Sequence, residues 1–209
     1  MNIFIAYLWK DPQLFFAISI IVIFSVCCHE FVHAATAMML GDDTAANNGH
    51  LTFNPFKQMG FISLIMLCLF GLAWGQVPVN PANFRKKYFA SIVAASGPVT
   101  NLVLSQLFIL LCFAVAFMRI DNRFAILMLL YGGALNIMLA IINMLPFPGM
   151  DGWAVLQNCF PKLLAGNSEV VKGTYFVLIV LFFVSFNKIF SLCFGIAQFE
   201  LGILARLIQ

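Results

Sequence analysis

The chain has few charged residues. Of its 209 residues, 11 are Lys or Arg and 8 are Asp or Glu, which makes 9% charged against 63% hydrophobic. A soluble domain usually carries about 25% charged residues, so this chain has too few to cover a globular surface in water. Together with a mean hydropathy of +1.00, this shortage indicates a polytopic membrane protein whose solvent is largely lipid.

Soluble modules, repeats and paired cysteines are also missing. No polar stretch is long enough to fold separately and nothing repeats, which predicts one membrane-embedded domain over residues 1–209. The six cysteines form no Cys-X-X-Cys pair, so we expect small hydrophobic fillers rather than disulfides or ligands. No small-residue cleavage site follows Met1–Trp9, and no cleavable signal sequence is expected. The net charge of +3 sits in short loops such as 85–87, which argues against a nucleic-acid surface.

Long apolar runs predict the membrane spans. A span needs about 20 mostly apolar residues, and four runs are long enough: 14–40, 88–118, 124–145 and 174–208. Ser96-Gly97-Pro98 interrupts the second run and Asn187-Lys188 the last, so we expect helix breaks there. Residues 60–74 are short for a crossing and predict a tilted or re-entrant helix. The predicted fold is an all-α integral membrane bundle of four to six spans, with short re-entrant or β-like loop segments.

The first span contains three ionisable residues in the pentapeptide HEFVH. Helix positions four apart share a face, so His29 and His33 can offer imidazole nitrogens to one metal ion, with Glu30 beside them. This is the zincin arrangement, in which two histidines bind zinc and a carboxylate accepts a proton from the attacking water. An intramembrane charge costs on the order of 2.5–3.5 kcal/mol. Three such groups on one turn therefore favour a functional cavity over satisfied polar residues in a bundle core.

A candidate for the third zinc ligand follows a later span. A site with two histidines needs one more protein ligand and leaves a fourth position for water. Asp151 lies in the stretch NMLPFPGMDG (143–152), where two prolines and two glycines must unwind the helix. Irregular backbone at membrane depth occurs only where it is buried in protein or lines a watery cavity, so Asp151 is well placed to meet the histidine pair. From the residues alone, a helix-cap or turn role is equally compatible.

Five sequence blocks occur in order along residues 14–153. They are HEFVH, the stretch from Gly41-Asp42 that ends in GHLTFNP, VPVNPANF, SGPVTN and NMLPFPGMDG. HEFVH fits the pattern HExxH, and the other four resemble GDPTA…GRLTLNP, PVPVNPRNF, AGPxxN and NLLPxPxLDG. This combination resembles the site-2 protease family of intramembrane zinc metalloproteases, particularly its short bacterial members without accessory domains.

The resemblance implies a set of residue roles. His29 and His33 would bind Zn2+, Asp151 would be the third ligand, and Glu30 would be the catalytic base. Asn143 would be a catalytic residue that donates a hydrogen bond to the developing oxyanion or holds the substrate backbone. Helix packing is the alternative for this asparagine.

The block SGPVTN has a lesser role in the resemblance. Its residues Gly97, Pro98 and Asn101 are expected to pack close to the site without taking part in the chemistry.

The implied function is that of an intramembrane zinc metalloendopeptidase. It would hydrolyse peptide bonds of membrane-spanning or membrane-proximal proteins by metal-activated water, with a glutamate as base. The expected partners are a transmembrane protein or peptide substrate and the lipid bilayer, and no nucleic acid. No PDZ-like module is visible, so substrate choice would depend on the membrane core, on prior trimming, or on a regulatory membrane partner or homo-oligomer. The expected location is a bacterial plasma (inner) membrane, with several crossings.

Two other functions stay open. A metal transporter could use His29, His33 and Asp151, although it would need several sites along a path, and intramembrane His, Asp and Glu are nearly absent elsewhere. It would also leave Glu30 without a role. A degenerate relative could act as a membrane scaffold, although it would not need an intact HExxH. Two imidazoles and a carboxylate suit zinc among the divalent metals.

Overall fold

The fold is all-α, as composition and spacing predict. The computed structural model describes residues 3–160 and 168–206, and within these ranges it contains no β-strand. Their α-helices are α1 (Tyr7–Lys10), α2 (Pro12–Met39), α3 (Thr44–Asn47), α4 (Pro55–Gln58), α5 (Gly60–Phe70), α6 (Phe89–Phe117), α7 (Arg123–Asn143), α8 (Asp151–Cys159) and α9 (Ser168–Arg206). That residues 1–209 form a single domain stays a prediction.

Four of the described helices are long and apolar enough to cross a membrane. They are α2, α6, α7 and the part Val184–Arg206 of α9, which is the lower end of the predicted four to six spans. Helix α2 begins with Pro12, and Asp11 caps it by accepting a hydrogen bond from the Leu14 amide at 3.3 Å. Helix α5 has 11 residues, a length of about 16 Å against a hydrocarbon core of about 30 Å. It is too short for a straight crossing.

Two predicted helix breaks are wrong. Helix α6 runs uninterrupted with Pro98 inside it, and α9 is one helix through Asn187-Lys188. Pro98 is buried, and α2 and α7 both pack along α6. Proline is tolerated in membrane helices where neighbouring helices hold the backbone. Asn187 and Lys188 are exposed on the surface of α9, so their side chains do not compete with its backbone hydrogen bonds.

Helix α6 is the centre of the bundle, because it packs against α2, α7, α8 and α9. Apolar side chains of α6, α7 and α9 form one buried cluster: Ile109, Ala134, Ile137, Met138, Cys193 and Ala197. A second cluster joins α2 to α5 and the residue before it: Val22, Val26, Cys27, Met59 and Leu67. Helix α2 also packs directly along α6, and this places HEFVH opposite SGPVTN.

An extended segment, residues 72–80, connects α5 towards α6 without forming a helix or a strand. Its Trp74 amide donates to Ser63 Oγ at 2.9 Å, and the Ser63 hydroxyl donates to the Trp74 carbonyl at 2.7 Å. The Gln76 amide donates to the Gln58 carbonyl at 3.0 Å. The extended segment is thus tied to α4 and α5.

The far end of the extended segment is tied to Asp42. This side chain is fully buried and accepts four hydrogen bonds, from the amide and hydroxyl of Thr44, from the Asn80 amide and from the Asn83 side chain. Burial raises the pKa of the Asp42 carboxyl, but these hydrogen bonds outweigh burial and lower it. The ionised carboxylate therefore fastens the chain just after α2 to residues 80–83.

Candidate metal centre

Both histidines of HEFVH are oriented by α6. His29 and His33 are 5% and 6% exposed, so their ring nitrogens need partners inside the protein. Nδ1 of His33 lies 2.7 Å from the carbonyl oxygen of Val93, and Nδ1 of His29 lies 2.5 Å from Oδ1 of Asn101. Both oxygens only accept, so each neutral imidazole carries its proton on Nδ1. Both Nε2 atoms then present bare lone pairs.

The two Nε2 atoms converge with the carboxylate of Asp151. They lie 2.9 Å apart. Asp151 Oδ2 lies 3.1 Å from Nε2 of His29, and Oδ1 lies 3.2 Å from Nε2 of His33. Asp151 is the first residue of α8, whose N-cap is Met150. The structure therefore brings together the three residues that the sequence proposes as ligands.

The donor set fits a divalent cation. Three acceptors facing one another repel unless a positive charge lies between them. A proton placed on either Nε2 atom instead would make that imidazole a positively charged ring inside the bundle. Asp151 Oδ2 is buried and has no hydrogen-bond partner in the described structure, as expected of a carboxylate oxygen that binds a cation.

The separations also suit zinc. Zinc binds imidazole nitrogen and carboxylate oxygen at about 2.0–2.2 Å in tetrahedral geometry, which puts neighbouring donors about 3.3 Å apart. The measured separations of 2.9, 3.1 and 3.2 Å are close to this value. Within the described residues, His29, His33 and Asp151 form the one group of three or more His, Cys, Asp or Glu residues that could hold a metal.

A glycine of α6 keeps the space in front of the histidines open. A Cβ atom added to Gly97 would lie closer than 3.0 Å to Nε2 of both His29 and His33, a distance that real Cβ atoms essentially never show. The expectation that Gly97 packs close to the site is confirmed.

Glu30 lies beside the ligand group and is not part of it. Its side chain is buried, yet it makes no hydrogen bond or ion pair with the described residues. The extended segment lies directly against it, because a Cβ atom on Gly75 would overlap the Glu30 carboxylate. The backbone at Gly75 is therefore one wall of the space around Glu30. Sequence reasoning missed Gly75, since a glycine in a loop rich in Pro and Asn has the ordinary look of a turn residue.

A buried chain of amides continues from His29 across α6 and α7. Nδ2 of Asn101 donates to Oδ1 of Asn136 at 3.0 Å, and Nδ2 of Asn136 donates to Ser25 Oγ and to the Gly132 carbonyl, each at 2.9 Å. Both asparagines are fully buried. Sequence reasoning gave Asn101 only a packing role and missed Asn136. The available signal was an asparagine inside an apolar span, because polar residues at membrane depth are rare and usually functional.

The turn between α7 and α8 begins after Asn143 and ends at Asp151. Asn143 is the last residue of α7, and its half-buried side chain makes no hydrogen bond with the described residues. A Cβ atom on Gly152 would overlap the carbonyl of Met144. This turn can therefore close only because residue 152 is a glycine.

The chain is similar in sequence to bacterial proteins that are named as putative zinc metalloproteases. The chain is 31% identical over 183 residues to "Putative zinc metalloprotease YwhC" of Bacillus subtilis, covering 82% of this chain and 80% of YwhC. It is 32% identical over 167 residues to "Putative zinc metalloprotease Rip2" of Mycolicibacterium smegmatis and 28% identical over 167 residues to Rip2 of Mycobacterium tuberculosis. It spans 62% and 63% of these two longer proteins. No protein-family model and no solved structure matches the chain.

Proposed function

The chain belongs to the site-2 protease family of zinc metalloproteases, and we propose that it cleaves membrane-spanning or membrane-proximal proteins at the centre formed by His29, His33 and Asp151. In this proposal Glu30 is the general base and Asn143 assists at the carbonyl oxygen. The metalloprotease class comes from the relatives, while the substrate and the residue roles are our proposal.

The convergence of two imidazole nitrogens and a carboxylate carries the proposal. Residues from α2 and α8 meet at separations of 2.9 to 3.2 Å, and α6 holds both imidazoles with their Nε2 atoms towards Asp151. When bound there, zinc supplies Lewis acidity, which activates a water and polarises the scissile carbonyl. The protein contributes a mostly buried set of ligands.

Glu30 is suited to move the proton. It follows His29 directly in α2, so it lies next to the ligand group, and both of its oxygens are free of partners among the described residues. A free carboxylate in this position can accept the proton of the attacking water and return it to the leaving amine. A carboxylate held in an ion pair could not exchange the proton so readily.

Asn143 is the candidate for stabilising the developing oxyanion. Its amide is half-buried and unused among the described residues, at the turn that also delivers Asp151. An unused amide donor at such a turn is able to bond a negatively charged oxygen, which is worth about 2.7–4 kcal/mol in comparable sites.

The substrate class follows from the surroundings of the centre. The protein has several helices that can cross a membrane, and HEFVH lies within one of them. A substrate that reaches this depth is itself in or beside the bilayer, and its backbone must leave the helical conformation before it can be cut. The relatives named above come from bacteria, so we propose a bacterial plasma membrane as the location. A regulatory membrane partner or a homo-oligomer would then control access.

Glu30→Gln tests the proposal, with Asp151→Ala as the matched ligand variant. Zinc is counted per chain by elemental mass spectrometry in detergent, and cleavage is measured on labelled casein and on a labelled single-span peptide. We expect Glu30→Gln to keep zinc and lose cleavage, and Asp151→Ala to lose both. Full cleavage by Glu30→Gln would rule out its role as base. A wild-type protein that takes up no zinc would rule out the metal site.

The rival functions have weaker support. A transporter needs a series of sites along a path, and the described residues hold one candidate group. A scaffold does not require the two imidazoles, the carboxylate and Gly97 to leave a space between them. The Glu30→Gln variant separates these functions too, because transport and scaffolding should both survive the loss of the glutamate.

A further inference from the structure

The buried amide chain begins at a group that can only accept. The carbonyl oxygen of Gly132 accepts from Nδ2 of Asn136, four residues later in α7. A side-chain amide has one oxygen and one nitrogen, and in a buried site its orientation is decided by its partners. With its NH2 group turned to Gly132 and Ser25, Asn136 must turn Oδ1 towards Asn101.

The orientation of Asn136 in turn fixes the orientation of Asn101 and the tautomer of His29. Because Asn136 presents an oxygen, Asn101 must offer its NH2 group there and turn its own oxygen to His29. An oxygen at Nδ1 requires the proton of His29 on Nδ1. Three hydrogen bonds in series, at 2.9, 3.0 and 2.5 Å, thus connect a backbone carbonyl of α7 to a ring nitrogen of α2.

We propose that Asn136, which contacts neither metal nor substrate, is a positioning residue that keeps His29 in the tautomer with a free Nε2. The inference rests on the proposed function, since it takes that Nε2 as a zinc ligand. Without Asn136, the amide of Asn101 is free to rotate by half a turn and present its NH2 group to the ring. His29 then carries its proton on Nε2 and cannot bind the metal in that form.

The two histidines differ in how they are held, and this difference supports the inference. His33 donates to the backbone carbonyl of Val93, which has no alternative orientation. His29 donates to a side-chain amide, which has two orientations of similar shape. His29 is the ligand whose partner can rotate, and it is also the ligand to which the hydrogen bonds of Asn136 and Asn101 lead.

The first experiment compares Asn136→Ala with Ser105→Ala in the full chain in detergent. Ser105 is also fully buried on the bundle side of α6, and its hydroxyl has no partner in the described structure. Zinc affinity is measured by competition with a chelator, and the melting temperature is measured without metal. Loss of a group that orients a ligand lowers metal affinity about 10- to 100-fold. We expect about tenfold for Asn136→Ala, no change in affinity for Ser105→Ala, and no change for Ser25→Ala, because Gly132 still holds Asn136.

A double-mutant cycle separates orientation from packing. In Asn101→Asp both oxygens of residue 101 accept, so either orientation keeps the proton of His29 on Nδ1. Adding Asn136→Ala in this background should change zinc affinity by less than about threefold, although it creates the same cavity. A pure packing role would produce the same loss in both backgrounds.

The outcomes are distinct. Wild-type zinc affinity in Asn136→Ala, or an equal loss in both backgrounds, overturns the inference and leaves the metal site intact. A wild-type chain that binds no zinc overturns the proposed function before any variant is compared. If Asn136→Ala does not accumulate, Asn136→Leu fills the volume without a polar group, and the same tenfold loss is expected from it.

Discussion

Replacing Gly97 with alanine should close the metal centre. Helix α6 carries this glycine opposite both histidines, and the added Cβ would lie on Nε2 of His29 and of His33. The change adds one methyl group and no charge, and it leaves the three proposed ligands in place. It therefore tests whether the space between the Nε2 atoms is the functional feature.

Two opposing effects set the size of the response. Alanine is favoured over glycine inside a helix by about 1 kcal/mol. Overpacking a dense interior costs about 1–3 kcal/mol. The net loss of folding stability is therefore at most about 2 kcal/mol, so the variant should fold. Relief of the overlap requires α2 and α6 to separate by about 1 Å, and a shift of that size lowers catalytic rate about 100-fold.

The assay combines zinc stoichiometry, cleavage of labelled casein and melting without metal. Gly195→Ala is the matched control, because Gly195 is also inside a long helix and a Cβ there meets nothing within 4 Å. We expect the control to keep zinc and cleavage and to gain slightly in stability. We expect Gly97→Ala to lose zinc and cleavage while it stays folded. One zinc per chain together with wild-type cleavage in Gly97→Ala would refute the reasoning.

Three further predictions concern the surroundings of the centre. Gly75→Ala places a Cβ on the Glu30 carboxylate and should lower cleavage at least tenfold. Zinc content should stay unchanged, because Glu30 is not one of the proposed ligands. A parallel loss of zinc would contradict this prediction. Asp42→Asn should destabilise the fold by about 1–3 kcal/mol at neutral pH, because an amide cannot accept from four donors, as read from melting temperature in detergent. The folded pKa of Asp42 is below the ordinary value of 3.8. The stability that the ionised carboxylate contributes is therefore present above pH 3.8 and is lost as the pH falls through the folded pKa. The stability difference between wild type and variant should narrow in acid, and a constant difference from pH 6 to pH 3 would contradict this prediction. Asn143→Ala should lower kcat about 100-fold with zinc content unchanged, and wild-type kcat would leave this asparagine a packing role.

Local sequence was enough to predict the class of the protein and two of the three proposed ligands. Composition alone excludes a globular fold whose whole surface faces water, and four of the described helices are long and apolar enough to cross a membrane. The His29–His33 pair is a consequence of helical periodicity, since residues four apart share a face in any α-helix. The place of Asp151 required the family resemblance, because a carboxylate after a broken span is equally suited to a turn.

Tertiary structure decided the contacts between residues that are far apart in the sequence, which helical periodicity does not predict. Asn101 is separated from His29 by 72 positions and from Asn136 by 35, and the contact of Gly75 with Glu30 depends on anchors at Asp42 and in α5. The predicted break of α6 at Pro98 is wrong, because the residues around a proline do not show which helices will support it. Sequence determines a helix face through bonds within a few residues, whereas the partner that orients a buried ring depends on how separate helices pack.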